Sequence, residues 1–309
     1  MSFYKTGSQI IYLYLMTKIL ITGGTGLVGT RLTKRLMELD FEVAILTRNP
    51  QKEHEFKWDL SKGYIDEKAF ENIDFIIHLA GAGIADERWT EKRKQVIIDS
   101  RVMAVNLLFT KVIALKIPLK KFISASATGF YGAVTSDKIF TEKDVAAKDF
   151  LGDVCELWET ATSQFEKENI KTTILRTGIV LSEKGGALAK MKTPIISSIG
   201  SGNQFLPWIH LDDLCGMYVK VLKDETMVGI FNAVAPEHHT SKSFSKIFAN
   251  SIKRIFIPIG VPRFLLKLIF GEMAIILLEG SRVSSVKIEK TGFIFQYPNL
   301  KRALTNLFN

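Results

Sequence analysis

The residues best suited to chemistry stand where apolar runs stop. Ile19-Leu20-Ile21 leads into Thr22-Gly23-Gly24-Thr25-Gly26-Leu27-Val28-Gly29, and Leu32, Leu36 and Leu39 then recur at helical spacing. That pattern predicts a buried parallel strand, a tight turn and the start of a helix. The first backbone N–H groups of a helix lack intrahelical partners and carry partial positive charge, so they make a seat for a pyrophosphate. Gly23 permits the turn, Gly26 lets backbone approach the phosphates, and Gly29 lets helix and strand pack closely. The spacing is G-x-x-G-x-x-G, one residue longer at the first gap than the common G-x-G-x-x-G fingerprint. In this strand–turn–helix setting it reads as a dinucleotide site.

Further along, Phe41–Arg48 forms a second apolar run, closed by Asn49-Pro50. Its end lies about twenty residues after the glycines, where a carboxylate would bind the ribose 2′-hydroxyl of NAD. Thr47 and Arg48 stand there instead. A guanidinium pairs with a 2′-phosphate, so the expected cofactor is NADP. Asp59 follows a short strand and is placed to reach the adenine amino group. His78 ends the apolar run Phe75–His78 ahead of Leu79-Ala80-Gly81, and it reads as a packed structural residue. Arg101 shares a helical face with Ile97 and Val105, so it needs an anionic partner, either a cofactor phosphate or a structural carboxylate. Ser126 closes the run Lys121–Ala127, and ligands of open parallel sheets sit beyond such strand ends. It is placed to hydrogen-bond a substrate hydroxyl or carbonyl.

The elements that must hold these residues alternate strand with helix, including helical patterns over about 90–116 and 149–167. The implied fold is α/β, a doubly wound parallel sheet of Rossmann type with a smaller, mostly helical C-terminal lobe. Residues 16–230 read as the dinucleotide-binding domain, with lobe insertions around 181–208, and 231–309 as a substrate lobe or lid. Residues 1–15 read as an extension, disordered or lying upstream of the true start. Phe264–Leu278 is interrupted by Lys267 and Glu272 and reads as a buried helix. Asp212 or Asp213 is expected to cap the helix that follows them.

The chain has 309 residues, 47% of them hydrophobic and 24% charged, the composition of an ordinary water-soluble globular protein. The formal net charge of +9 is scattered, with no basic run interleaved with aromatics, so no nucleic-acid partner is expected. The run at residues 10–16 is far too short to span a bilayer, and no membrane partner is expected. Only Cys155 and Cys215 are present, without C-x-x-C, which speaks against disulfides and zinc and for a reducing, cytoplasmic setting. No metal site is expected.

Taken together in order, the motifs make the chain similar to the extended short-chain dehydrogenase/reductase superfamily, in its epimerase-like branch related to nucleotide-sugar epimerases. They include the glycine turn, Leu46-Thr47-Arg48, His78-Leu79-Ala80-Gly81, Ser100-Arg101 and Ser124–Gly132. Arg88-Trp89-Thr90, Leu175–Gly178, Gly200-Ser201-Gly202 through Pro207-Trp208-Ile209-His210, Leu277–Gly280 and Gly292-Phe293 complete the set. The resemblance implies a cofactor bound by Gly23, Thr25, Gly26, Leu27, Val28, Thr47, Arg48, Leu79 and Ala80, with Arg101 and the backbone near Val180 completing its surroundings. It also implies that His210 and Asp213 shape the sugar side of the cleft. The partner implied is a small molecule, nucleotide sugars included, acted on by a monomer or homodimer.

One departure matters. The superfamily uses a Tyr-x-x-x-Lys pair to move the substrate proton, whereas the corresponding positions here are Cys155 and Glu159. The candidates left for proton transfer are Ser126, Tyr131 and Cys155. Two functions stay open: an NADP(H)-dependent oxidoreductase or epimerase, and an NADPH-binding sensor without turnover.

Overall fold

The structure is a computed structural model that describes residues 17–308. The expectation for residues 1–15 lies outside the described residues. Eight strands form the main sheet: β1 (Lys18–Thr22), β2 (Glu42–Thr47), β3 (Glu55–Asp59), β4 (Tyr64–Ile65), β5 (Phe75–His78), β6 (Lys121–Ala127), β7 (Lys171–Thr177) and β8 (Gly229–Ala233). Their order is β8-β7-β6-β5-β1-β2-β3-β4, parallel throughout except for the terminal β3–β4 pair. The chain winds one way from β1 through β2 and β3 and the other way through β5 and β6. The reversal beside β1 is where such sheets open a crevice for ligands.

Four helices cover the sheet: α1 (Leu27–Met37), α2 (Glu91–Ala114), α3 (Phe150–Thr162) and α4 (Leu211–Lys223). The central strands are apolar along their length because both faces are covered. Ile19 and Ile21 point to the face holding α1 and α4, where they meet Leu32, Leu36 and Leu214. Leu20 and Ile76 point to the opposite face, against Ala104, Leu108 and Trp158 of α2 and α3. Arg31 of α1 donates to Asp212 at the start of α4 over 2.6 Å, tying the two helices of the first face together.

A second core lies beyond the sheet. Leu181, Leu188, Ile196 and Trp208 join Phe244 and Phe248 of α5 (Ser241–Ser251) and Leu300 and Leu304 of α7 (Leu300–Phe308). Between these, α6 (Arg263–Phe270) follows the strand Ile255–Val261, which pairs in parallel with Ile195–Ile199. The lobe thus contains sheet as well as helix, more than the sequence pattern led one to expect.

Candidate functional site

The turn between β1 and α1 is built for close approach. Gly23 has φ +71°, and a Cβ there would stand 2.9 Å from the backbone of Leu79 and Ala80. A Cβ on Gly29 would stand 2.1 Å from the Gly23 carbonyl oxygen, whereas one on Gly26 would meet only that oxygen, at 3.3 Å. Gly23 and Gly29 therefore lock strand, turn and helix together, while the ground above Gly26 stays free. Helix α1 begins after an extended Gly26 with no side-chain cap and no acidic residue in its first turn. The N–H groups of Leu27 and Val28 keep their positive end for an external anion. Thr25 is exposed beside them. Across the crevice, the N–H groups of Leu79 and Ala80 donate to Thr22 Oγ1 over 3.2 and 3.3 Å, which fixes this segment next to the turn. A dinucleotide pyrophosphate fits this cradle.

At the far end of β2, Thr47 Oγ1 accepts from the Asn49 N–H, and Arg48 is exposed. Among the described residues no carboxylate lies within ion-pair distance of Arg48. Asp59 caps the turn after β3, its Oδ1 accepting from Ser61 N and Oγ over 3.0 and 2.7 Å. Val180 lies on the short strand Ile179–Leu181, its carbonyl near Gly186, whose Cβ would meet Leu27 at 3.3 Å. This loop thus closes over the start of α1.

At the end of β6 the side chains form one buried network. Ser126 Oγ donates to Glu159 Oε1 over 2.7 Å, and Arg176 of β7 grips both oxygens of that carboxylate over 2.8 Å each. Arg176 also donates to Tyr131 Oη over 3.1 Å and lies on the Phe130 ring. Tyr131 Oη donates to Asn232 Oδ1 of β8 over 2.6 Å. Burial works against the Arg176 charge, but Glu159 more than restores it and the guanidinium stays above its ordinary pKa. Glu159, at the sequence position that the resemblance gives to the superfamily's lysine, is thus held by an arginine from another element. The carboxylate accepts the Ser126 hydrogen bond, leaving Ser126 Oγ with lone pairs to offer.

Two expected proton carriers do not suit that task. Burial pushes the Cys155 thiol up to about 11, reinforced by Glu159, and its Sγ faces the Ala127 carbonyl at 3.7 Å. Cys155 is therefore a thiol at neutral pH rather than a thiolate. Tyr131 is 1% exposed, and burial pushes its phenol up to about 12. His78 is packed, as its surroundings suggested. Its Nδ1 pairs with Thr22 Oγ1 over 2.7 Å, and burial depresses it to about 3. Arg101 has no carboxylate partner among the described residues. It donates to the Ile97 carbonyl over 2.9 Å, lies over the Trp158 ring and abuts Gly81. Of its two possible anionic partners, the structural carboxylate is thereby removed.

His210 and Asp213 do other work than expected. His210, not an aspartate, caps α4, accepting from the Asp212 N–H over 3.1 Å, and its ring lies 3.8 Å from that of Tyr297. Asp213 accepts from the N–H groups of Gln296 and Tyr297 over 2.7 and 3.0 Å. Both residues thus anchor the C-terminal segment. Sequence reasoning missed Glu159, Arg176 and Asn232 as partners. The one signal was an arginine inside the apolar strand Ile174-Leu175-Arg176, which demanded a buried carboxylate somewhere.

The sheet order, the switch beside β1 and the uncapped glycine turn define a Rossmann-type dinucleotide-binding protein of the short-chain dehydrogenase/reductase kind. More narrowly, the chain belongs to the NAD dependent epimerase/dehydratase family, whose profile matches residues 19–233, and a domain of unknown function (DUF1731) matches residues 261–307. It is 35% identical over 306 residues to epimerase family protein SAR0825 of Staphylococcus aureus, covering 95% of this chain and all of that one. Among solved structures, human epimerase family protein SDR39U1 (isoform 2) with NADPH superposes with a TM-score of 0.85 at 29% identity, covering 94% of this chain and 99% of the human one. A nucleoside-diphosphate sugar epimerase from Corynebacterium glutamicum gives 0.77 at 28%, covering 95% of this chain and 58% of that one. At 18% identity, the UDP-glucose 4-epimerase of Thermotoga maritima shares the fold, with a TM-score of 0.74.

Proposed function

We propose that the protein binds NADP(H) and acts as an oxidoreductase or epimerase on a small hydroxyl or carbonyl compound, with nucleotide-linked sugars in the substrate class. The observation that carries this is the uncapped start of α1 facing the free ground over Gly26, with Arg48 at the end of β2 exposed and without a carboxylate partner among the described residues. Leu27 and Val28 would hold the pyrophosphate and Thr47 and Arg48 the 2′-phosphate. The human relative whose structure contains NADPH supports that choice over NAD. Bound cofactor supplies hydride exchange.

The chain's own residues set the proton route. A substrate hydroxyl donates to the free lone pairs of Ser126. As hydride leaves the carbon, the hydroxyl proton passes to Ser126 and the Ser126 proton to Glu159, with Arg176 holding that carboxylate in place. Arg101 orients an anionic group of cofactor or substrate beside Gly81. A hollow of about 380 Å³ between Trp89, Phe150 and Leu151 on one side and Lys267, Glu272 and Ile275 on the other has the volume of a ligand pocket. It opens one helical turn before Cys155.

The second reading, an NADPH sensor without turnover, is favoured by the internal satisfaction of that network, with Ser126 only 3% exposed. Calorimetry with NADPH and NADH tests the cofactor assignment. Arg48→Glu should weaken NADPH roughly 10- to 100-fold, the worth of one charge-assisted pair, and leave NADH nearly unchanged. Equal losses, or no heat with either nucleotide, defeat it. Turnover of a carbonyl or nucleotide-sugar panel, abolished by Ser126→Ala, separates enzyme from sensor.

A further inference from the structure

Among the described residues, the second core is covered on one side only. In the parallel pair, Ile195 stands opposite Ile255 and Ile196 opposite Phe256. Ile196 and Phe256 point to α5 and α7. Side chains alternate across a strand, so Ile195 and Ile255 point the other way, 52% and 68% exposed, and Ile259, at the register shift that follows, is 77% exposed. This bare face runs on into α6, whose Leu266 is buried against Val261 while Phe264 and Leu268 are each 72% exposed. The expectation of a buried helix over 264–278 is overturned for its first half, where only Leu266 is buried and Phe270 is half-buried against the core. A contiguous aliphatic surface of this kind marks a docking site.

The charge around it names the partner. Residues 184–211 and 238–271, which build most of this lobe, contain nine Lys and Arg and no Asp or Glu. That equals the formal net charge of the whole chain, +9, so the rest of the sequence is balanced and the excess sits here. A second copy of the chain would bring the same cations against these. A nucleic-acid duplex binds through its phosphates and would leave this apolar face uncovered, and a single strand would need aromatic faces for stacking, whereas the exposed side chains are aliphatic except Phe264. An eight-residue helix with leucine and phenylalanine on its outer side and Lys267 among them, with Lys253 and Arg254 preceding the exposed Ile255, suits the plane of a lipid interface, Arg263 being held by Glu279 over 3.0 Å.

We propose that α6 and the Ile195–Ile255–Ile259 face dock the protein on an anionic lipid bilayer, lying on it without spanning it. No helix among the described residues is long and apolar enough to cross a membrane. The docking face is separate from the proposed cofactor cradle, although Lys267 also lines the hollow described above, and its test uses neither cofactor nor substrate. The full-length protein is sedimented with vesicles of phosphatidylcholine alone and with vesicles containing about one-third phosphatidylglycerol. Wild type should sediment with the second kind only. Raising salt from about 0.05 to 0.5 M should release it. Phe264→Glu with Leu268→Glu should weaken binding at least roughly tenfold, the least expected from placing two carboxylates in an apolar interface. Ile255→Ser with Ile259→Ser, a milder change, should weaken it in the same direction. Unchanged thermal midpoints show that both variants fold. Failure of wild type to sediment overturns the proposal, as does equal sedimentation of the folded variants. So does a concentration-dependent dimer, seen by light scattering, that the Phe264 and Leu268 changes dissolve, because the face would then serve a second copy.

Discussion

Replacing Arg176 by methionine tests whether the charges at the end of β6 act as one unit. The arginine is 1% exposed and makes two 2.8 Å bonds to Glu159, whose remaining partner in the network is Ser126. Its loss leaves a buried carboxylate facing one hydroxyl, a change that costs about 3–5 kcal/mol when a buried pair is broken from one side. Glu159→Leu strands the guanidinium and belongs in the same range. The double variant Glu159→Leu/Arg176→Met leaves neither charge behind. Tyr131 keeps its bond to Asn232, so the double variant should lie within about 2 kcal/mol of wild type, as when buried pairs are replaced by apolar residues of like volume. Urea unfolding of the four proteins closes the cycle, provided the slope with denaturant stays constant. Additive losses would refute the reasoning, since two independent residues would then be in play. A single Arg176→Met costing under about 1 kcal/mol would do so equally, placing the pair in the range of solvent-screened surface contacts.

Gly29→Ala sets a methyl 2.1 Å from the Gly23 carbonyl oxygen and must open the turn; NADPH affinity by calorimetry should fall more than roughly tenfold, and an unchanged value would remove the cradle from the binding site. Burial holds His78 at about 3 and His210 at about 4, against about 6.5 in an unfolded chain. Their contribution is intact above that unfolded value and is lost as pH falls through it, so moving from pH 7 to 5 should cost about 2 kcal/mol for each, read from urea midpoints, and a flat profile would contradict their burial. Asp213→Ala strands the N–H groups of Gln296 and Tyr297; a loss of about 2–4 kcal/mol and faster protease cleavage near residues 291–299 should follow, and wild-type resistance would show that the anchor lies elsewhere.

What could be read from the sequence was local. The β1–α1 turn was legible because its glycines, the apolar strand before them and the helical period after them are contiguous, and the alternation of strands and helices gave the doubly wound sheet. Packing between distant elements was not legible. Arg176 and Glu159 are both visible as charges, but only the stacking of α3 on β6 and β7 brings them together. Lys121 looked like the polar start of a strand, yet it is 1% exposed, its Nζ donating to the carbonyls of Val221, Asp224 and Met227 at the end of α4. Asp212 and Asp213 had the residue type of helix caps, and a neighbouring histidine ring took that place because both carboxylates had stronger partners. The bare side of α6 was hidden for another reason: apolar composition predicts burial, and only the three-dimensional packing, in which no described element lies over it, reverses it.

The way the second core is stitched has a consequence for how the chain matures. Leu181–Trp208, Ala235–Phe256 and Leu300–Leu304 must meet in one place, and Asp213 waits for Gln296 and Tyr297. During synthesis from the N-terminus, the sheet has β1 to β8 in hand long before α7 emerges. Until then Phe244, Phe248 and Trp208 have no lid. The lobe is therefore a late closure of high sequence separation, and a ribosome that stops a few codons short of residue 300 releases a polypeptide with a completed sheet and an open, sticky remainder.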